Sequence, residues 1–296
     1  IFRCGGYKIY HLFRRRIHPI FWIVSLALLL FTVNVNAWQF SIIGDEYAFS
    51  IFGRDIVEKQ DLVQVGKLLF RDNVIYGKFT YISSLLQALF MKLFDTQNFG
   101  WRLSSIYASA SAIVFLHFFF RTFVREWVAL TASFLIAVSH YLMTFSKIGY
   151  NNTQALFALG VLFAATAWAI TRPRPITFVV LGMALAFCFY AYPSSLYLIP
   201  LALFLLLLYA PPRSPSLLRQ WGIAFLTTFV FAFPLWLQPQ FWEAKLLGTF
   251  LGNSQVASSY LTTLKNIGLN LLYSFYSFIY IPQESHFVSV SYADAL

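Results

Sequence analysis

The stretch ITFVVLGMALAFCFYAYPSSLYLIPLALFLLLLYA, residues 176–210, runs for thirty-five residues without one charged side chain. Tyr192-Pro193-Ser194 punctuates it, so it reads as two apolar segments, 176–191 and 194–210, joined by a tight turn. A helix on the surface of a soluble domain is apolar on one stripe only, whereas these two are apolar all round. Each bilayer crossing takes about 20 residues, so segments of this length read as spans whose ends lie in the interface or against neighbours.

Outward from this pair the pattern recurs at 19–40, 103–123, 127–143, 153–170 and 220–237, giving about seven spans. The connections carry turn residues, as in Arg172-Pro173-Arg174-Pro175 and Pro211-Pro212-Arg213. Composition agrees: 59% of residues are hydrophobic, 20% aromatic and 11% charged, against roughly 25% charged in a soluble domain. With so few charges the chain cannot cover a globule with solvated side chains. The fold class is therefore all-α, a polytopic transmembrane helical bundle, with residues 1–296 as one transmembrane domain.

Charge orients the bundle. With the N-terminus in the cytoplasm and the spans alternating, eleven of the 21 basic residues fall on the cytoplasmic side, against one of the eleven acids, Glu126. This is the positive-inside asymmetry. It accounts for the net charge of +10 without nucleic acid, because the excess sits in short loops near anionic headgroups. Arg14-Arg15-Arg16 before the first span reads as a basic cytoplasmic foot; the span is too long and aromatic for a signal peptide. Cys4 and Cys188 fall on opposite sides, which argues against a disulfide. Five scattered histidines without a Cys/His cluster give no zinc pattern, so neither a metal nor a cofactor is expected. The chain starts at Ile1 and ends at Ala295-Leu296, where another span is expected, so it reads as a C-terminally truncated piece.

Two segments are too polar to be spans, 41–102 and 238–296, and both are expected on the outer side. In the first, Ile82, Leu85, Leu86, Leu89, Phe90 and Leu93 recur at helical spacing with Ser83, Ser84, Gln87 and Lys92 between them. That pattern predicts an amphipathic helix in the membrane plane. A second interfacial helix is expected at 264–281.

Candidate functional residues cluster in or beside these outer loops. Asp45-Glu46 follows the first span, and two carboxylates at a membrane surface suit proton abstraction. Lys78, among aromatics at headgroup level, suits a lipid phosphate, and Arg54 and Arg102 are weaker candidates of that kind. Lys147, in Ser146-Lys147-Ile148-Gly149-Tyr150, goes against the positive-inside bias, which a phosphate or carboxylate would explain. Tyr150, Tyr190 and Tyr192 suit the wall of a lipid-carrier groove, though aromatic residues also belt any membrane edge. His286 is a further candidate, while His117 within the second span suits a bond to a neighbouring helix. Walker, dinucleotide and nucleophile-elbow motifs are absent.

One span, an acidic pair, an amphipathic outer loop and then short-looped spans: this order resembles the GT-C superfamily of membrane glycosyltransferases. The nearest branch is that of the protein mannosyltransferases and lipid A aminoarabinose transferases. The matching pieces are Gly44-Asp45-Glu46, Trp101-Arg102-Leu103-Ser104-Ser105, Phe145 to Asn151, Tyr190-Ala191-Tyr192-Pro193-Ser194, and His286-Phe287-Val288 leading to Asp294. The resemblance implies a hexosyl- or pentosyltransferase that takes its sugar from a polyprenyl-phosphate donor, without metal, on the outer membrane face. It makes Asp45 the general base on the acceptor hydroxyl, with Glu46 orienting the acceptor or sharing the proton, and it makes Lys78 the contact to the lipid phosphate. The family often has arginine where Lys147 stands. Protein, lipid and glycan acceptors stay open, and a bacterial plasma membrane is the expected location. The competing reading is a transporter or flippase of a lipid-linked substrate, which would want ionisable residues near the midplane of the spans.

Overall fold

The computed structural model describes residues 18–35, 44–58, 84–94, 98–149, 153–191 and 193–237. Lys78, Tyr150, Tyr192, His286 and the interfacial helix expected at 264–281 lie outside them. The described residues form helices and turns only. In chain order the helices are α1 (Pro19–Thr32), α2 (Gly44–Glu58), α3 (Leu85–Leu93), α4 (Asn98–Phe123), α5 (Glu126–Ala137) and α6 (His140–Ser146). They continue with α7 (Thr153–Thr171), α8 (Pro175–Tyr190), a 3-10 turn at Pro193–Tyr197, α9 (Leu198–Tyr209) and α10 (Pro215–Trp236).

Within the described residues each apolar run is mainly helical, but the lengths differ from a row of seven full spans. Phe99–Phe123, Thr153–Thr171 and Pro215–Trp236 are each long and apolar enough to cross a membrane. A fourth crossing results if α5 and α6 act as one span, bent by 55° between them. The run at 127–143 is thus not one straight helix. Ser139 ends the first piece and caps the second, its Oγ accepting the Leu142 amide at 3.2 Å, the role serine favours at a helix start. Helices α1 and α8 have 14 and 16 residues, about 21–24 Å at 1.5 Å per residue, against a hydrocarbon core of about 30 Å.

Helix α4 is the axis of the bundle. Leu103, Ile106 and Ile113 of α4 join α1, α5 and α6 around Phe31 and Leu142. Leu116 of α4 belongs to the cluster of α7, α8, α9 and α10 around Leu162, Phe178, Leu181 and Leu206. Helices α8 and α10 touch backbone to backbone. A Cβ placed on Gly182 would lie 2.5 Å from the Ala224 carbonyl oxygen and 2.6 Å from Thr227 Cβ. The hydroxyl of Thr228 donates to the Gly182 carbonyl at 3.1 Å. Small residues and interhelical hydroxyl bonds of this kind hold helices together where lipid removes the hydrophobic drive. The large side chains on the other face of α10, among them Leu226, Phe229 and Val230, point outward, as expected against hydrocarbon.

Candidate functional site

The bundle has two ends. One holds the start of α1 and the joins α4–α5, α7–α8 and α9–α10, with Arg121, Arg125, Arg172, Arg174, Arg213 and Arg219. The other holds the end of α1, helices α2 and α3, the start of α4 and the turn after α6. The sequence candidates that fall within the described residues all belong to this second end.

Arg102 is the most deeply placed of them. Hydropathy starts the second span at 103, one residue after Arg102. Helix α4 starts at Asn98 instead, so Arg102 sits in its second turn with no exposed surface. Its Nη1 donates to the Val35 carbonyl at 2.7 Å, just beyond α1, where Asn34 turns the chain with φ of 58°. Lys147 follows α6 directly and is buried, 6% exposed. Removal from water pushes its ammonium below its ordinary pKa. Two residues on, the Gly149 carbonyl accepts a 2.6 Å hydrogen bond from Gln87 Nε2 on α3.

That bond fixes how α3 faces the protein. Ser84, Gln87, Ala88 and Met91 are buried, whereas Leu85, Leu89 and Leu93 are exposed. The leucine stripe of the amphipathic pattern therefore turns away from the bundle, and the polar Gln87 turns in. Helix α2 packs on the same buried face of α3. A Cβ on Gly53 would meet Met91 Sδ at 3.0 Å and Gln87 Cβ at 3.3 Å. Arg54, the next residue along, is half-buried. Asp45 and Glu46 stand in the first turn of α2, where the free amides of a helix start favour negative charge.

Tyr190 ends α8 at this end of the bundle, but its hydroxyl is committed to α10. It donates to the Phe231 carbonyl at 2.7 Å, within one turn of Pro234, where proline interrupts the helix ladder. His117, in α4, bonds the neighbouring helix as its sequence position suggested: its Nδ1 lies 3.3 Å from Ser133 Oγ on α5. A groove of about 570 Å³ between α4, α7 and α8, with Phe118, Trp168 and Arg172 in its wall, lies at the opposite end from Arg102 and Lys147.

Apolar helices of spanning length, with Arg102, Lys147 and the acidic pair at one end of the bundle, define an integral membrane protein. The chain belongs to the Dolichyl-phosphate-mannose-protein mannosyltransferase family, which matches residues 80–237 and so covers α3 through α10. It is a membrane glycosyltransferase of the GT-C type, in a family that uses polyprenyl-phosphate-sugar donors. No curated protein matches the chain. Sequence reading had singled out Arg54, Arg102 and Lys147 but not Gln87, which looked like one polar residue of an amphipathic stripe. Its place between hydrophobics at 86 and 89 was the available signal.

Proposed function

We propose that this chain transfers a hexosyl or pentosyl group from a polyprenyl-phosphate donor to an acceptor hydroxyl on the outer face of a plasma membrane, bacterial by its short-looped build. In this reading Asp45 takes the proton of the acceptor hydroxyl while its oxygen attacks the anomeric carbon. The bond from that carbon to the phosphate oxygen breaks, the configuration inverts, and polyprenyl phosphate leaves. Glu46 orients the acceptor. A phosphate leaving group needs charge stabilisation more than a proton, and Lys78, Lys147, Arg102 and Arg54 are the cations assigned to it. Tyr150, Tyr190 and Tyr192 line the path of the carrier lipid, and the transfer needs no metal. Seven crossings, with the N-terminus in the cytoplasm, put both acids and these cations on the same side.

One observation carries the reading: the acidic pair opens a helix that packs on α3, at the end of the bundle that also buries Arg102 and Lys147. The experiment is sugar transfer from a radiolabelled polyprenyl-phosphate donor in membranes expressing the protein, wild type against Asp45→Asn. Loss of a general base lowers the rate by about 10²–10⁴-fold. Equal activity in a well-expressed variant removes Asp45 from the mechanism.

A further inference from the structure

The opposite end of the bundle brings His18 to two side chains about a hundred residues further along the chain. His18 precedes α1, His117 lies in the last third of α4, and Glu126 opens α5. Glu126 Oε1 is 3.1 Å from His18 Nε2 and 3.5 Å from His117 Nε2. All three atoms lie within 4.8 Å of one another. His117 has no exposed surface, and its Nε2 has no hydrogen-bond partner among the described residues, whereas Glu126 Oε1 is shared between it and His18 Nε2.

One placement of the protons satisfies the hydrogen bonds around the cluster. Ser133 donates its own proton to the Ala129 carbonyl at 2.8 Å, so its oxygen accepts from His117 Nδ1. Neutral His117 therefore carries its proton on Nδ1 and turns the Nε2 lone pair toward a carboxylate oxygen. Two acceptors face each other inside the protein, an arrangement that calls for a cation between them. The second carboxylate oxygen of Glu126 is held by Arg121 Nε at 2.5 Å, which orients the first oxygen toward the histidines.

We propose that His18 Nε2, His117 Nε2 and Glu126 Oε1 form a binding site for a divalent transition-metal ion of the zinc class, which clamps the start of α1 to α4 and α5. Two imidazoles and a carboxylate are a donor set that zinc accepts. Bonds of about 2.0–2.1 Å in tetrahedral array separate neighbouring ligand atoms by about 3.3 Å, and the observed 3.1 and 3.5 Å straddle that value. The Ser133 and Arg121 contacts are the outer supports that fix a histidine ring and a carboxylate at a metal site. Half-exposed side chains at His18 and Glu126 give water the fourth position. Binding moves the His18 ring proton to Nδ1, which releases only the long 3.3 Å contact from the Ile20 amide. The site lies at the far end of α4 and α5 from Arg102 and Lys147, so it is compatible with metal-independent transfer.

The test is Co²⁺ titration of the purified chain in detergent, without a histidine tag, followed by ligand-field absorption and by X-ray absorption at the metal edge. The expected result is one ion per chain, with two imidazole nitrogens in its shell and a thermal transition that rises on loading and falls with chelator. His117→Ala and Glu126→Gln abolish the signal, and Ser133→Ala weakens affinity by roughly tenfold. Wild type carries the decision by itself, so a variant that misfolds leaves the test intact. Absence of Co²⁺ binding at micromolar concentration overturns the proposal. A spectrum without imidazole nitrogens, or one unchanged in the folded variants, overturns it as well.

Discussion

The Arg102 guanidinium donates to the Val35 carbonyl across 2.7 Å, and this contact joins the first described helix to the axis of the bundle. Val35 is 3% exposed and Arg102 is wholly buried, so water is not available to replace the bond. The charge is held at the mouth of α4, with the end of α1 on one side of it.

Arg102→Met is expected to lower stability by about 1–3 kcal/mol, the cost of leaving a buried carbonyl without a donor. Arg102→Lys should recover part of this, because one ammonium hydrogen replaces one of the guanidinium donors. Unfolding in detergent, followed by intrinsic tryptophan fluorescence, reads both. Wild-type stability in the Met variant would show that the bond contributes nothing net.

Gln87→Leu removes the bond to Gly149 while filling nearly the same volume. The α3 helix then loses its polar tie to the turn that carries Lys147. The expected result is a higher KM for the polyprenyl-phosphate donor with a small change in kcat, since the turn is displaced while the residues proposed for proton transfer stay on α2. An unchanged KM would separate α3 from donor binding.

Much of the bundle was legible in the sequence because lipid imposes one simple requirement: a long run without charge must bond its own backbone, and within one segment only a helix does so. Residues 153–170, read as a span, are helical over Thr153–Thr171. What hydropathy does not encode is a break. Val138 and Ser139 are apolar enough to pass as span interior, and only the capping habit of Ser139 marks the bend. Nor does it encode an early start: Trp101 and Arg102 look like loop but lie inside α4, 4% and 0% exposed. Lys147 stood out in the sequence as a cation against the positive-inside bias, and Arg54 and Arg102 as cations beside the first outer loop. The approach of His18 to His117 and Glu126 was not, because three spans' worth of packing decides it and no spacing in the chain reports it.

Gly182→Ala tests the α8–α10 contact. The added methyl would meet a backbone carbonyl, which cannot swing aside, so the helices must separate and the Thr228 bond must lengthen. Overpacking of this kind costs about 1–3 kcal/mol. Gly222→Ala on α10 is the control: nothing lies within 4 Å of its Cβ position, so no loss is expected. Thermal unfolding of the two variants side by side checks the contrast, and equal behaviour would mean that the close approach at Gly182 is not a tight one.

Lys147 makes the chain sensitive to alkali. Burial pushes its ammonium below the ordinary 10.5, so between that depressed value and 10.5 the folded chain holds fewer protons than the unfolded one. Stability therefore rises with pH across this window: the penalty for burying the charge is full below the depressed value and gone above 10.5. Lys147→Met, with no charge to bury, should lack this rise. Donor binding should run the other way. A phosphate opposite Lys147 favours the ammonium, so the wild-type KM for the donor should increase as pH rises through the folded pKa. Lys147→Arg, which stays charged throughout, should hold its KM constant over the same range. Measuring KM against pH for both proteins decides the point: a shared rise would place the titration elsewhere and remove Lys147 from the proposed phosphate site.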